Sequence, residues 1–382
     1  MYLKNKRLCS GCHACYNICP ENCISMVKDS EGFLYPKIDS GKCINCGLCD
    51  KICPVLNEYK GNDRGKAYAC INKDENMRLK SSSGGIFTLI AKYVLDKNGI
   101  VFGASFNENF SVSHIEVTNE NDLEKLRGSK YLQSTIGDVY KSVKDYLKQG
   151  KLVLFTGTPC QISALKAYLQ KDYENLILQD IICHGVPSPE VWDKYLKFRE
   201  KKNESAIQKT YFRNKKQGWK KFSVFLEYDN STKYLCSVSD DTYMASFLAN
   251  LTLRPSCYDC HSKSLNRESD ITLADFWGIE NVCPELDDDK GTSLVFVNSE
   301  KGRNVFEEIK EQLIFRQVDI DEAVRYNPSA YISVNRPKNR ENFLKNITEN
   351  NFDKIVNKYT KPSFVKKCFN KAKRIIKRII TK

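Results

Sequence analysis

The stretch CSGCHACYNICP, residues 9–20, recurs further along the chain as CINCGLCDKICP, residues 43–54. Both copies have the spacing C-x2-C-x2-C-x3-C-P, a tight triple of thiols followed by a fourth. Such a triple suits three irons of a [4Fe–4S] cubane. Zinc, the alternative, prefers two separated C-x2-C pairs. The repeat therefore predicts a bacterial-type two-cluster ferredoxin fold over residues 1–58.

The eight thiols of the repeat divide into two predicted sites, because in two-cluster ferredoxins the fourth cysteine of each run serves the other cluster. The cluster I site comprises Cys9, Cys12, Cys15 and Cys53. The cluster II site comprises Cys43, Cys46, Cys49 and Cys19. Cys23 lies just outside the pattern.

The chain contains 17 cysteines, an unusual number. A large cytoplasmic protein keeps its thiols reduced, so dense cysteine there indicates metal rather than disulfides. A short basic stretch leads directly into the cysteines without an apolar segment, so we expect no signal peptide and a cytoplasmic location. No apolar run approaches the ~20 residues that a membrane span needs.

The formal net charge of +13 is concentrated at one end. Residues 361–382 hold nine Lys or Arg and no acid, so the rest of the chain gives no charge-based case for nucleic-acid binding. In this tail, basic residues alternate with pairs of isoleucine. On a helix that pattern suits peripheral contact with an anionic membrane, and a frayed, solvated tail is the alternative.

After the repeat, strands alternate with helices. Buried strands are expected at residues 151–156 and 176–182, each followed by a helix, at 160–169 and 189–201, which predicts a partly parallel sheet covered on both faces. Further strands are expected at residues 67–71, 100–106, 112–117, 222–228, 271–275 and 293–297, and further helices at 86–95, 136–148 and 303–326.

The expected fold class is thus α+β or α/β, with a mixed α/β domain after the ferredoxin fold. We expect four units: 1–58, 64–148, 149–335, and a helical extension with the basic tail at 336–382.

Four of the remaining cysteines suggest a third cluster. Cys160 and Cys183 each follow the carboxyl end of an expected parallel strand, the edge at which open α/β sheets bind ligands. Cys257 and Cys260 form a C-x2-C pair in a loop. Together the four would complete one more cubane; a zinc site, or four buried cysteines that never meet, are the alternatives.

Several loops could bind a phosphate or a flavin. Residues 81–85, SSSGG, precede an expected helix, whose free N–H groups could hold a phosphate. The loops at 157–159, 183–185 and 275–278 end strands of the same sheet and could line one pocket, with Trp277 stacking on a ring. Ordinary core packing is the alternative for Trp277, and a satisfied loop histidine is the alternative for His184.

Seven blocks in fixed order carry a family resemblance. They are SSSGGIFT (81–88), LRGSKYLQS (126–134), VLFTGTPCQI (153–162), DIICHGVPSPEVW (180–192), FRNKKQGW (212–219), SCYDC (256–260) and DITLADFWG (270–278). With the ferredoxin repeat, they resemble the family of coenzyme F-420 hydrogenase/dehydrogenase beta subunits. The resemblance covers roughly residues 1–335.

The resemblance implies a flavoprotein that binds FAD beside a [4Fe–4S] cluster, and it strengthens the set of four cysteines. The cofactor-binding residues it implies, together with those from the loop argument, are Ser82, Ser83, Gly84, Gly85, Ser129, Lys130, Thr156, Gly157, Thr158, Pro159, His184, Gly185, Asp275 and Trp277. His184 and Lys130 are the candidates for acid–base catalysis. Arg127, Lys130 and Arg254 could bind an anionic cofactor or substrate.

The expected function is an electron relay between ferredoxin-type clusters and FAD, which would reduce or oxidise a small organic substrate or a deazaflavin-like coenzyme. A redox partner protein or reduced ferredoxin would exchange electrons with the clusters. The alternatives are an electron-transfer partner without flavin chemistry and a scaffold for polysaccharide assembly. Bacterial relatives of this layout resemble those found among surface-polysaccharide genes, so a sugar-related substrate is one expectation.

Overall fold

The computed structural model describes residues 5–57 and 61–361. The strands are β1 Ile24–Lys28, β2 Leu34–Ile38, β3 Lys66–Asn72, β4 Ile100–Phe106, β5 Val112–Val117, β6 Ser134–Thr135, β7 Val153–Thr156, β8 Leu176–Ile181, β9 Ile207–Asn214, β10 Ser223–Tyr228, β11 Lys233–Ser237, β12 Ile271–Asp275, β13 Ser293–Val297 and β14 Leu313–Val318. The α-helices are α1 Ala14–Ile18, α2 Leu48–Lys51, α3 Glu75–Lys80, α4 Ile86–Asp96, α5 Leu123–Leu126, α6 Val139–Lys148, α7 Pro159–Leu169, α8 Pro189–Asn203, α9 Thr242–Leu248, α10 Ile279–Val282, α11 Glu300–Ile309, α12 Ile320–Val324, α13 Arg340–Asn346 and α14 Phe352–Thr360.

A nine-stranded mixed sheet organises the body of the protein, in the order β14-β3-β13-β12-β8-β7-β4-β5-β6. Its centre, β12-β8-β7-β4, is parallel. Strands β13, β3 and β14 pair antiparallel with their neighbours, and β5 pairs antiparallel with β4 and parallel with β6. This confirms the expected mixed α/β fold with a partly parallel sheet. The sheet takes strands from both 64–148 and 149–335, so these segments share one core.

The central strands are buried on both faces, as crossover helices require. Val153, Leu154 and Phe155 of β7 are fully buried, and β8 is buried along all but its last residue. Helix α4 covers one face, and helices α6 and α7 cover the other. This packing leaves the carboxyl ends of β7 and β8 and the loops after them free to build a site.

One helical expectation is wrong. Residues 303–326 contain the end of α11, the strand β14 and helix α12 rather than one helix. Strand β14 pairs with β3 along the edge of the large sheet, satisfying backbone groups that would otherwise stay unpaired there. It leaves Ile314 and Phe315 exposed, so its apolar residues do not mark a buried helical face.

A second core lies beside the large sheet. The three-stranded antiparallel sheet β11-β10-β9 packs with α8 and α9 around buried aromatic side chains, including Trp192, Phe212 and Tyr243. Helices α13 and α14 contribute Phe343 and Phe352 to the same core. The described part of the extension at 336–382 is therefore helical and packed.

The ferredoxin module consists of the antiparallel hairpin β1-β2 with the short helices α1 and α2. It is anchored to the body by buried polar contacts. Arg340 forms a bidentate ion pair with Glu31, and the Ser188 hydroxyl donates to the Glu31 carbonyl at 2.6 Å. These contacts hold the module over the sheet edge where β7 and β8 end.

No helix among the described residues is long and apolar enough to cross a membrane. The expected membrane contact concerns residues 361–382, of which 362–382 lie outside the described residues.

Candidate redox site

The cluster I cysteines line one cavity. Cys9, Cys12, Cys15 and Cys53 line a common space beneath the hairpin of the ferredoxin module. The left-handed Gly11 (φ +66°) lets the chain turn between the first two ligands, and its N–H donates to the Cys9 sulfur at 3.4 Å. Cys53, from the second copy of the repeat, thus lies beside the first three cysteines of the first copy.

The cluster II cysteines line a second cavity. Cys19, Cys43, Cys46 and Cys49 line it together with Cys23, and its volume is about 250 Å³. Cys23 is buried, and its sulfur lies 3.3 Å from that of Cys19. Cys46 is exposed, so this cavity lies at the outer side of the module.

A third cavity is lined by the remaining four candidates, Cys160, Cys183, Cys257 and Cys260. Cys160 lies in the first turn of α7, Cys183 follows β8, and the C-x2-C pair lies on a 3-10 turn at Pro255–Asp259. The structure therefore brings together residues that lie up to 100 positions apart in sequence. We call this group the third cysteine site.

Burial makes these thiols reluctant to ionise on their own. It raises the pKa of Cys12 and of Cys257 to about 12, and it raises those of Cys160 and Cys183 as well. Only the thiolate is a metal ligand, so a bound cation would have to offset this desolvation. Iron would supply that positive charge.

Positive side chains surround the third cysteine site. Arg254, Lys263 and Arg267 line its cavity, and the two arginines are 0% and 3% exposed. Lys263 donates to the carbonyl oxygens of Cys183 and Ser329. A site with four thiolates carries net negative charge, and these cations offset it.

A large cleft adjoins the third cysteine site. It has a volume of about 340 Å³ and shares Cys160 with the cysteine cavity. The predicted cofactor-binding residues that line it are Ser82, Ser83, Gly85, Ser129, Lys130, Thr156, Gly157, Thr158 and Asp275. Its size and its mixed polar and apolar lining are typical of a cofactor site.

The start of helix α4 forms one wall of the cleft. Gly85, with φ +85°, precedes the helix, and no side chain caps the free N–H groups of the first turn. Ile86 and Phe87 of that turn also line the cleft. Uncapped N–H groups and the helix dipole favour an anion at this point.

The serines of the loop before this helix are held in place. The Ser82 hydroxyl oxygen accepts hydrogen bonds from the Ser129 N–H at 2.7 Å and the Ser129 hydroxyl at 2.9 Å. Lys215 lies on the far side of the loop and donates to the Ser83 carbonyl at 2.8 Å. The loop is therefore fixed by protein contacts on both sides.

Two basic groups in the cleft have lowered pKa values. Burial lowers the pKa of Lys130 to about 7, and its ammonium donates to the carbonyls of Lys125 and Arg127. Burial also lowers the pKa of His114 to about 4. The His114 ring nitrogens lie 2.7 Å from the Ser134 hydroxyl and 2.8 Å from the Thr156 carbonyl. Lys130 can therefore exchange a proton near neutral pH, whereas His114 is neutral there.

Comparison with known families shows which family the chain belongs to. The models for the N-terminal and C-terminal parts of the coenzyme F420 hydrogenase/dehydrogenase beta subunit match residues 67–141 and 150–323, which together exceed half of the chain. A 4Fe-4S dicluster domain matches residues 8–57. The chain belongs to the family of coenzyme F420 hydrogenase/dehydrogenase beta subunits. It is a member with an N-terminal iron–sulfur module.

Two curated relatives illustrate the family. One, a subunit of the F(420)H(2) dehydrogenase of Methanosarcina mazei, is 26% identical over 45% of this chain and 51% of its own length. The coenzyme F420-dependent sulfite reductase of Methanocaldococcus jannaschii is 29% identical over 42% of this chain and 25% of its own length. The chain thus spans about half of the first relative and a quarter of the second.

A solved structure of the F420-reducing [NiFe] hydrogenase complex from Methanosarcina barkeri, a xenon derivative, contains a chain similar to this family member. The TM-score is 0.46 at 15% identity, covering 80% of this chain and 91% of that chain.

Several residues that were predicted to bind the cofactor lie outside the cleft. Pro159, His184 and Gly185 line the third cysteine site instead. His184 is held there by Asn250 Oδ1, 2.7 Å from its Nε2 atom, and by the Ser329 hydroxyl at 3.3 Å, with a pKa lowered by burial.

Gly84 and Trp277, which were also predicted to bind the cofactor, do not line the cleft. Gly84 donates its N–H to the Ser293 hydroxyl at 2.9 Å, which places it between the loop and β13. Trp277 stacks on Trp219 with ring centroids 4.7 Å apart, so one face of its ring is already covered. Asp275 does reach the cleft, where Arg213 forms a bidentate ion pair with it.

Several residues that line the cleft were not predicted from the sequence, notably His114, Gln133 and Gln179. It also missed Ser10, which lines the cleft as well as two cysteine cavities. His114 points inward from strand β5, where a single histidine gave no motif. Ser10 carried no signal either, because its position depends on how the ferredoxin module docks.

Proposed function

We propose that this chain is an iron–sulfur flavoprotein oxidoreductase that relays electrons between ferredoxin-type [4Fe–4S] clusters and FAD. The FAD in turn reduces or oxidises an organic substrate or a deazaflavin-like coenzyme. One observation carries the proposal: Cys160 is a wall of both the third cysteine cavity and the large cleft. A cluster ligated there would lie directly beside whatever the cleft holds.

The donor sets fit iron–sulfur clusters. In each of three places four cysteines line a common cavity. The twelve ligands proposed are Cys9, Cys12, Cys15, Cys53, Cys43, Cys46, Cys49, Cys19, Cys160, Cys183, Cys257 and Cys260. Spaced sulfurs around a void suit a cubane better than a zinc ion.

The cleft fits an anionic nucleotide cofactor such as FAD, which when bound would couple one-electron transfer to hydride transfer. The free N–H groups at the start of α4 would hold a phosphate, and the side chains of Ser82 and Ser129 would orient it. Lys130 would hold or release a proton at its Nζ atom. Because the cysteine site and the ferredoxin module close one side, they limit the access of water.

The relatives support the choice of substrate class. Two of them are named for coenzyme F420, which is a deazaflavin, and one is a subunit of a larger enzyme. We therefore propose a deazaflavin-like or similar planar coenzyme as the organic partner and a redox protein as the electron partner. The exposed Cys46 and Ile44 (62% exposed) make the cluster II side the proposed contact for that protein. The sugar-related substrate stays a prediction.

Anaerobic purification followed by a visible spectrum and flavin extraction tests the proposal. The expected result is a broad iron–sulfur absorption with superimposed flavin bands and about one FAD per chain. Iron–sulfur absorption without any flavin, even after incubation with FAD, would contradict it. That outcome would favour the second candidate, an electron-transfer protein without flavin chemistry.

A further inference from the structure

Three of the cavities meet at one segment of the ferredoxin module. Ser10 lines the cluster I cavity, the third cysteine cavity and the large cleft. Gly11 lines the cluster I cavity and the cleft. The cluster II cavity shares no lining residue with the third cysteine cavity or the cleft. The cluster I site is therefore the one that adjoins the body.

Arg254 spans this junction. Its backbone begins the turn that carries Cys257, whose N–H donates to the Arg254 carbonyl at 2.9 Å. Its side chain reaches the ferredoxin module, where Nε donates to the Cys9 carbonyl at 2.7 Å and Nη2 donates to the Leu34 carbonyl at 2.9 Å. The same residue thus contacts a cluster I ligand and lines the third cysteine cavity.

The shape of the junction is built around this guanidinium. A Cβ atom at Gly11 would lie 2.8 Å from Arg254 Nη1, so no larger residue fits without displacing the arginine. Nη1 donates to the Gln133 side-chain oxygen at 2.9 Å, and Gln133 in turn donates to the Ser10 carbonyl at 3.1 Å. The guanidinium also lies 4.3 Å from the ring centroid of Tyr35.

The charge of Arg254 has no carboxylate partner within residues 5–57 and 61–361. The three hydrogen-bond acceptors of its side chain are neutral carbonyl or amide oxygens, and the residue is 0% exposed. A buried, unpaired cation is costly unless negative charge lies nearby. Thiolates of the cluster I site and of the third cysteine site would supply that charge.

We propose that Arg254 raises the reduction potentials of both sites that it bridges, and that the cluster I site, rather than the cluster II site, exchanges electrons with the third cysteine site. The inference rests on the proposed function, because it requires clusters at both sites. One electron leaves one site as one enters the other, so no bond is made or broken. The positive charge favours the reduced, more negative state of each cluster.

The test is an anaerobic redox titration of the full-length, cluster-loaded protein, with each reduced cluster followed by electron paramagnetic resonance. In Arg254→Gln, the ratio of reduced to oxidised cluster at a fixed potential should fall about tenfold at both bridged sites, which is 59 mV for a one-electron couple. The cluster II site should keep its wild-type ratio. Arg254→Lys, which retains the charge, should stay close to wild type.

Lys263→Gln is the matched control. Lys263 lines the third cysteine cavity and donates to the Cys183 and Ser329 carbonyls, away from the ferredoxin module. This variant should lower the ratio of reduced to oxidised cluster at the third cysteine site alone. Unchanged ratios in Arg254→Gln, or an equal fall at the cluster II site, would overturn the proposal.

A wild-type measurement keeps the proposal testable if Arg254→Gln takes up too little iron. The electron spin at the third cysteine site should relax faster when the cluster I site is reduced than when only the cluster II site is reduced. The opposite dependence would overturn the proposed order.

The iron count separates failure of this inference from failure of the proposed function. About eight irons per wild-type chain would reject the third cluster and the proposed function with it, whereas about twelve irons with unshifted ratios would reject only the role of Arg254.

Discussion

At the level of single residues, the third cysteine site joins Cys160 and Cys183, which follow the carboxyl ends of β7 and β8, to two cysteines of one loop. Cys257 and Cys260 have no other described role that would demand a thiol. We therefore expect the double variant Cys257→Ser with Cys260→Ser to lose about four irons per chain while the ferredoxin module keeps its own. Iron analysis of anaerobically purified protein measures this.

Cys236→Ser is the matched control for that experiment. Cys236 lies on β11, remote from the three cysteine cavities, so its replacement should leave the iron content unchanged. An unchanged iron count in the double variant would reject the third cluster.

The lowered pKa of Lys130 gives a prediction about pH. Only a neutral amine reacts with an acylating reagent, so labelling of Lys130 should reach half its maximal rate near pH 7, against about 10.4 for a free lysine side chain. Mass spectrometry of labelled peptides across pH 5–11 measures this. Glu124→Gln should lower the midpoint further, because it removes a negative charge that favours the ammonium.

The same pKa fixes the sign of the effect on stability. Since folding lowers the pKa of Lys130, the folded state binds fewer protons than the unfolded state between pH 7 and the ordinary lysine pKa. The contribution of Lys130 is therefore unfavourable below pH 7 and becomes less so as the pH rises through this window. Labelling that begins only above pH 9 would contradict the proposed role of Lys130 as a proton donor at neutral pH.

Single residues also mark the limit of prediction from sequence. The grouping of the cluster I and cluster II cysteines could be predicted because their spacing is local, and that of the third set because the carboxyl ends of parallel strands meet at one edge. Arg254 and Ser10 matter through the docking of the ferredoxin module, which no local pattern encodes. The sequence places His184 at the sheet edge, but it does not show that His184 lines the third cysteine cavity rather than the cleft.

Among the elements, the Ser81–Gly85 loop and helix α4 form the wall that would hold the phosphate. A Cβ atom at Gly84 would collide with the Cys70 carbonyl and lie 2.8 Å from the Ser293 nitrogen, both of them backbone atoms of the sheet. Gly84→Ala should therefore displace the loop, lower the thermal stability and reduce the FAD content by several-fold. Flavin extraction and thermal unfolding measure these effects.

Gly128→Ala serves as the comparison. Gly128 also lines the cleft and has φ +86°, but a Cβ atom there meets nothing within 4 Å. This change should cost only about 1–2 kcal/mol of backbone strain and keep most of the flavin. Equal loss of flavin in both variants would contradict the proposed role of the Ser81–Gly85 loop.

The elements themselves were predictable to different degrees. The sequence predicts the strands at 100–106, 112–117, 271–275 and 293–297 with the bounds observed, since each is a short run rich in apolar or alternating residues. It does not predict strand β14, because Ile314 and Phe315 face solvent at a sheet edge and the spacing of the apolar residues resembles that of a helix. Strand β11 was missed for a related reason: it is short and largely unburied.

For the whole molecule, the docking of the ferredoxin module determines whether the clusters can communicate. Arg340, 1% exposed, pairs with Glu31 of the module and also donates to the Leu253 carbonyl. Removing one partner of a fully buried pair costs about 3–5 kcal/mol, because the charge left behind is uncompensated. Glu31 is partly exposed, so Glu31→Gln should destabilise the protein by less than this. Hydrogen exchange should increase in β1, β2 and α13.

The matched change for that experiment is Glu21→Gln, which alters an exposed acid of the same module. It should leave exchange in the hairpin and in α13 unchanged. If Glu31→Gln gave no more exchange than Glu21→Gln, the ion pair would not anchor the module.

The central claim is that twelve cysteines hold three iron–sulfur clusters in one connected molecule. The most direct test is the iron and acid-labile sulfide content of protein purified without oxygen. We expect about twelve irons and twelve sulfides per chain. Zinc in place of iron, or iron without sulfide, would contradict it.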